Sequence, residues 1–244
     1  MKIEKGLVLP VNGLEITVDR ILGNGPGVVF FGGYSSVRFG EKASALWEWA
    51  MENGRSFIRF DYSGHGGSIE EFTKGTLGQW RDEALAVVEE LTREPQILVG
   101  SSMGGWISLL VAGRLPEKTR AVVTVACAAD FTVNVVEKKL GKEGLEVLSS
   151  EGILDLGGGT IMTKRFIDES REHLLLGAPI EINCPAHLIH GLSDERIPWE
   201  TSLKAAELIA SGSVAVELVK SGDHRLSTGA DISRLIARIE EFSV

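Results

Sequence analysis

Cysteine, proline and long apolar runs are all scarce in this 244-residue chain, which has two Cys and seven Pro. Cys127 and Cys184 lie far apart in sequence and show no metal-ligand spacing. They read as buried free thiols of a reducing compartment, not as a disulfide framework or a zinc site. No apolar stretch approaches the roughly 20 residues that a membrane-spanning helix needs, so integral membrane association is not expected. Positive charge is also in short supply. Twenty-five Lys and Arg stand against 34 Asp and Glu, for a net charge of −9. That balance excludes the basic footprint of a nucleic-acid binder and electrostatic adhesion to anionic lipid. The opening residues Met1 to Lys5 have neither a signal peptide's apolar segment nor a transit peptide's character, so a cytoplasmic protein is expected.

What is present is an alternation of apolar runs and amphipathic patterns. Leu14 to Leu22 alternates as a half-buried strand, and Val28 to Phe31, Ser56 to Phe60, Gln96 to Val99, Ala121 to Ala126, Ala186 to His190 and Val214 to Val219 have strand length. Between them lie helical faces: Phe39 to Met51, a helix after the Thr76 capping-box spacing, Met103 to Arg114, one after Trp199, and a last one carrying Ile232, Leu235, Ile236, Ile239 and Phe242. Strands joined by helices of that length predict right-handed crossovers and a mostly parallel sheet covered on both faces. The fold class is α/β, in one domain over residues 1–244. Residues 129–183 break the rhythm with two helical patterns around Val133–Leu148 and Phe166–Leu176, punctuated by Gly157-Gly158-Gly159. So long an excursion reads as an inserted helical cap.

The chemistry centres on Gly100-Ser101-Ser102-Met103-Gly104, a G-x-S-x-G. In a chain with 29 glycines the pattern takes its meaning from context. A strand runs into it and a helix runs out, which is the strand–turn–helix setting of a nucleophile elbow. Ser102 is then the candidate nucleophile, and it needs a base held by a carboxylate. Of the five histidines, His173 falls in the cap, while His187 and His190 belong to a strand and read as packed or locally bonded. His65 follows a strand and stays a rival. His224 follows the last strand, where α/β sheets place their ligand loops. Asp194, just past the preceding strand, is the matching acid, and the order Ser102, Asp194, His224 is that of this kind of site. Backbone N–H groups of Met103 and of Tyr34, in Phe31-Gly32-Gly33-Tyr34, are the expected oxyanion donors.

Other motifs fail. Gly23 to Val28 lacks the third glycine of a dinucleotide fingerprint, Gly100 to Trp106 has no Walker Lys-Ser/Thr, and His187-Leu188-Ile189-His190 lacks the glutamate and spacing of a helical zinc site. No metal and no cofactor is expected.

These residues resemble the α/β-hydrolase superfamily of serine hydrolases over nearly the whole chain. Several segments are similar to its palmitoyl-protein thioesterase and acyl-glucuronide esterase branch: Ile58 to Gly64, Gln96 to Ser102 with Gly104-Gly105-Trp106, Asn183-Cys184-Pro185, Ile197-Pro198-Trp199 and Asp223-His224-Arg225. The resemblance implies an α/β-hydrolase fold and a serine esterase or thioesterase of apolar acyl groups, acting on a small-molecule ester or an acylated protein, as a monomer or homodimer. An acyltransferase, a C–C hydrolase and a non-catalytic ligand-binding member are the open alternatives. One departure stands out. Superfamily members often begin the oxyanion loop with His-Gly, whereas Phe31 precedes Gly32 here, so no imidazole is expected to support that loop.

Overall fold

Asn12 and Gly13, both with positive φ (51° and 80°), close a hairpin between β1 (Lys2–Val11) and β2 (Leu14–Leu22). Asn-Gly in that conformation matches the twist of the strands it joins. In the computed structural model, which describes residues 1–157 and 160–243, this hairpin forms one edge of an eight-stranded sheet. The chain continues through β3 (Asn24–Phe31), α1 (Glu41–Glu52), β4 (Arg55–Asp61), a single turn α2 (Ile69–Phe72), α3 (Leu77–Leu91), β5 (Gln96–Ser101), α4 (Met103–Arg114) and β6 (Thr119–Val125). After β6 come a π-helical stretch (Thr132–Glu137), α5 (Lys138–Glu151), the small hairpin β7 (Ile153–Asp155) and β8 (Ile161–Thr163), and α6 (Lys164–Ser170). β9 (Ala186–Gly191), α7 (Glu200–Leu208), β10 (Val214–Val219) and α8 (Gly229–Glu241) complete the chain.

The strand order is β1-β2-β4-β3-β5-β6-β9-β10, with β2 antiparallel to both its neighbours and every other pairing parallel. Parallel strands cannot be joined by tight turns, so helices lie over both faces and the central strands are apolar on both sides. All six residues of β5 and all six of β9 are buried accordingly. Trp80 and Leu77 of α3 and Trp106 and Ile107 of α4 fill one face, while Leu46 and Trp47 of α1 and Leu235 and Ile239 of α8 fill the other. Each fully buried side chain of Leu46 or Leu77 size contributes about 2–3 kcal/mol through apolar area removed from water.

From β3 the chain steps to β4 on one side, then returns to β5 on the other and moves outward through β6, β9 and β10. The crevice at the carboxyl ends of β3 and β5 is therefore the topological switch point, where open α/β sheets place their ligand site.

Three details differ from the sequence expectations. β1 is an additional edge strand; its pattern is mostly exposed, with Pro10 tolerated because an edge needs fewer ladder donors. The excursion after β6 contains the β7–β8 hairpin besides helices. The Thr76 cap is half of a capping box: its hydroxyl accepts from Gln79 N–H, but the Gln79 amide turns to Ser63 Oγ. Of the expected triple glycine, Gly158 and Gly159 lie outside the described residues. No helix among the described residues is long and apolar enough to cross a membrane.

Candidate active site

β5 delivers the chain into α4 through a single residue, Ser102, with φ 56° and ψ −119°. A non-glycine residue in this region is strained by about 1–3 kcal/mol and persists only where its surroundings over-determine it. They do so here. Ser102 N–H donates to Val125 O at 2.9 Å, and its carbonyl accepts from Gly105 N–H at 2.9 Å and Ala128 N–H at 3.1 Å. The flanking glycines are forced by close approach. A Cβ on Gly100 would stand 2.3 Å from Gly104 O, and one on Gly104 would stand 2.1 Å from Phe31 O. The turn thus lifts the Ser102 hydroxyl out of the sheet at the head of α4, where the first helical amides have no intrahelical acceptor.

Ser102 Oγ lies 3.0 Å from His224 Nε2, and His224 Nδ1 lies 2.7 Å from Asp194 Oδ2. The loops after β10 and β9 supply these two partners, so the three side chains come from the carboxyl ends of three strands. Asp194 is fully buried in its side chain and accepts on both oxygens. Oδ1 takes the N–H groups of Arg196 (2.8 Å) and Ile197 (2.9 Å), and Oδ2 takes His224 and also His190 Nε2 at 3.1 Å. Burial alone would push this carboxyl up. The hydrogen bonds from His190, His224 and Ile197 outweigh it and hold Asp194 well below the ordinary carboxylate range. His190 Nδ1 meets Ser202 Oγ at 2.7 Å, while its Nε2 faces two acceptors, Asp194 and the Ile197 carbonyl, so a proton sits on Nε2. The sequence reading has His190 as packed or locally bonded; the structure bonds it to Asp194, the residue expected to be the acid. The spacing His190-Gly191-x-x-Asp194 is the signal that could have found it.

Lys42 pins the His224 loop from the other side. Its Nζ donates to Arg225 O and to Ser227 Oγ, the latter at 3.2 Å, and burial lowers its ammonium to about 8. Asp223 shapes the same loop by accepting from Arg225 and Leu226 N–H at 3.0 and 2.9 Å.

Opposite Ser102 runs the loop after β3. A Cβ on Gly33 would meet Ser102 Cβ at 3.3 Å, so this backbone passes directly against the serine. The N–H groups of Tyr34 and Met103, the two expected donors, have no hydrogen-bond partner among the described residues. The expectation that no imidazole supports this loop is corrected by the structure. His65, from the loop after β4, accepts the Ser35 N–H on Nε2 at 3.2 Å. His65 is therefore not a second base but sits 6% exposed under the loop. Tyr34 points its ring away from the sheet into Phe72, Trp80, Phe131 and Phe166, and its hydroxyl donates to Ile161 O in β8 at 2.6 Å.

Above Ser102 and His224 opens a cavity of about 920 Å³. Ala128, Phe131, Val135, Val136, Leu156, Met162 and Ile197 give it an apolar wall, and Lys42, Lys139, Arg196 and Arg225 stand with Glu41 and Glu195 on its polar side. His173 is elsewhere, bonded to Glu169 and Arg81, and His187 faces Glu217 across β9 and β10. Among the described residues no cluster of three His, Cys, Asp or Glu could hold a metal ion.

Residues 28–150 match the Hydrolase_4 family, described as serine aminopeptidase, S33. The mitochondrial palmitoyl-protein thioesterase ABHD10 of mouse is 40% identical over 234 residues, covering 93% of this chain and 78% of that protein. The human protein of the same name is 40% identical over 232 residues, covering 93% and 76%. Among solved structures, mouse alpha/beta hydrolase domain-containing protein 10 superposes with a TM-score of 0.89 at 37% identity, over 99% of this chain and 98% of that one. A putative hydrolase from Agrobacterium vitis S4 gives 0.93 at 32% identity over the full length of both. These relatives also correct the expected cytoplasmic location. The thioesterases are mitochondrial, and five N-terminal residues carry little weight against a likeness that spans 93% of the chain. The fold, the family match and the near full-length likeness agree: the chain belongs to the α/β-hydrolase superfamily of serine hydrolases, in the family of ABHD10, and is a carboxylic ester or thioester hydrolase.

Proposed function

We propose that the enzyme cleaves esters or thioesters of apolar acyl groups through a Ser102–His224–Asp194 triad and an acyl-enzyme. The observation that carries this reading is the continuous hydrogen-bond chain from Ser102 Oγ through His224 to Asp194 at the floor of an apolar-walled cavity. Ser102 Oγ attacks the carbonyl carbon while His224 Nε2 takes its proton. Asp194, held ionised, keeps the remaining proton on Nδ1 and stabilises the imidazolium. The tetrahedral oxyanion lies between the N–H groups of Tyr34 and Met103, each worth roughly 3 kcal/mol by analogy with other such donors. Collapse expels the alcohol or thiol, which leaves with the proton from His224. Water then repeats the sequence on the acyl-enzyme and frees Ser102.

The segment between β6 and β9 acts as a cap whose inner residues, Phe131, Val135, Val136, Leu156 and Met162, receive the acyl chain. A palmitoyl-protein thioesterase-like or acyl-glucuronide esterase-like substrate suits such a wall, since the acyl group can be long and the leaving group can differ. The protein acts as a monomer or homodimer and takes a small-molecule ester or an acylated protein.

The test is hydrolysis of p-nitrophenyl esters from acetate to palmitate, with a palmitoyl thioester alongside, by the wild type and Ser102→Ala. Turnover that rises with chain length and drops by about 10⁴-fold or more in the variant is expected. Full turnover and acyl-enzyme formation by Ser102→Ala would sink the mechanism. Serine-dependent activity confined to short esters would discard the long-chain substrate.

A further inference from the structure

Three successive amides follow Gly33, and the structure treats them unequally. Ser36 N–H closes a turn onto Gly33 O at 3.1 Å, and Ser35 N–H donates to His65 Nε2 at 3.2 Å. Tyr34 N–H alone is left without a partner among the described residues. Ser35 itself is in the left-handed region, with φ 61°, a conformation that an L-residue keeps only when something holds it. Of the amides of Tyr34, Ser35 and Ser36, the one held by a side chain is that of Ser35, and the side chain is the imidazole of His65; farther along the loop Asp61 holds the Arg38 N–H at 2.6 Å.

We infer that His65 is a positioning residue for oxyanion stabilisation: by accepting the Ser35 N–H it fixes the Tyr34–Ser35 peptide, and together with the Ser36 N–H bond to Gly33 O on the preceding peptide it sets the direction in which the free Tyr34 amide points. This rests on the mechanism proposed above and adds a residue to it. His65 touches no reacting atom. Its ring packs edge-on against Tyr62, Phe72 and Trp80, at centroid separations of 5.2, 5.2 and 4.6 Å. Those neighbours would accept a phenyl ring equally well, so packing gives no reason for a buried imidazole. A nitrogen lone pair does. Neutral imidazole with its proton on Nδ1 offers Nε2 as an acceptor, whereas imidazolium offers none. Burial keeps the ring neutral, pushing it down to about 4. The same nest also holds the Tyr34 ring, which contacts Phe72 and Trp80, so acceptor and loop are registered against one surface. The support that Phe31 cannot give from within the loop arrives from the neighbouring strand's loop.

The experiment compares His65→Phe, which keeps a ring and removes the acceptor, with His65→Gln, whose amide oxygen restores one. Steady-state constants on the best p-nitrophenyl ester are measured together with the inhibition constant of an alkylboronic acid, whose serine adduct places an oxygen where the oxyanion forms. For His65→Phe, kcat falls roughly tenfold, a fraction of the full loss of an oxyanion donor, while KM stays within about twofold. Boronate affinity weakens by the same factor as kcat, the melting temperature holds, and His65→Gln recovers part of both losses. Wild-type kcat and boronate affinity in a folded His65→Phe would overturn the inference. So would Gln and Phe variants impaired alike. Should His65→Phe not fold, His65→Gln against His65→Met poses the same question, because the two differ in acceptor strength and hardly in length. Ser102→Ala, run in parallel, separates the two readings: full turnover there rejects the triad whatever His65 does.

Discussion

The floor of the site and its roof are built to different tightness. Around Ser102 the backbone is crowded: β5 and β9 are wholly buried, and a Cβ on Gly100 would strike α4 and one on Gly104 the end of β3. The roof is packed unevenly: Phe131, Val136, Met162 and Phe166 join the core, while α5 lies lightly on it. Of the fourteen residues of α5 only Leu148 is buried, and Gly141, with φ 61°, interrupts the helix near its start. A few polar ties add to the packing there. Asp130 accepts Leu175 and Leu176 N–H, each at 2.8 Å, and Thr132 meets Ser170 at 2.7 Å. Trp106 Nε1 reaches His173 O, and Tyr34 reaches Ile161 O. The contrast teaches a division of labour. On the proposed mechanism, the bond-making groups sit where displacement is costly, and the outer cap above them is held by fewer contacts.

The sharpest way to test that division is at the floor. Asp194→Asn keeps an oxygen for the Arg196 and Ile197 amides but presents an NH₂ to two histidines, so His224 takes the wrong tautomer. By analogy with other serine-hydrolase triads, kcat falls about 10⁴-fold. Stopped-flow acylation kinetics with an unchanged far-ultraviolet spectrum checks it. A loss of a few fold would mean that the acid is not where the chemistry depends on it.

At the roof, Val135→Trp fills part of the cavity. It lowers kcat/KM for palmitate by about 10–100-fold relative to acetate, the range that one or two displaced methylene contacts command. An equal loss on both esters would break the contrast, because the roof would then govern chemistry as well as selection.

His65 offers a measurement of stability. A buried imidazole held down to about 4, against an ordinary 6.5, leaves the folded state neutral while the unfolded chain takes up a proton. Stability is thus fully present above about pH 6.5, falls as the pH drops toward 4 and then levels, a change of about 3 kcal/mol at 1.36 kcal/mol per pH unit. His65→Phe should lose this part of the acid slope in denaturant titrations at pH 7, 5.5 and 4. An unchanged slope would place the acid sensitivity elsewhere. The smallest effect is expected from Tyr34→Phe, which deletes one hydrogen bond to the roof, worth about 1 kcal/mol. KM for long esters should rise a few-fold while acetate hydrolysis holds; equal effects on both would tie the roof to the floor more tightly than the packing suggests.

The floor was also the more legible half in the sequence. Ser102, Asp194 and His224 stand at ends of strands that apolar runs announce, so topology brings them together without knowledge of contacts. β1 escaped because an edge strand exposed on most positions shows no apolar run, although Asn12-Gly13 beside the alternating β2 marks the hairpin. The β7–β8 hairpin is three residues a side, shorter than any period can register. His190 and His65 could be placed on a strand and in a loop. What they bond depends on side chains meeting across 4 and 30 residues, and no spacing rule encodes the second.

Tyr34 joins the two halves in one residue. Its N–H belongs to the backbone and is kept with any side chain except that of proline, so other variation at this position leaves it in place. Its hydroxyl reaches a carbonyl of the roof and is lost by almost any substitution. On the proposed mechanism, a lineage can therefore refit its roof by changing residue 34 and still keep the N–H that would meet the oxyanion.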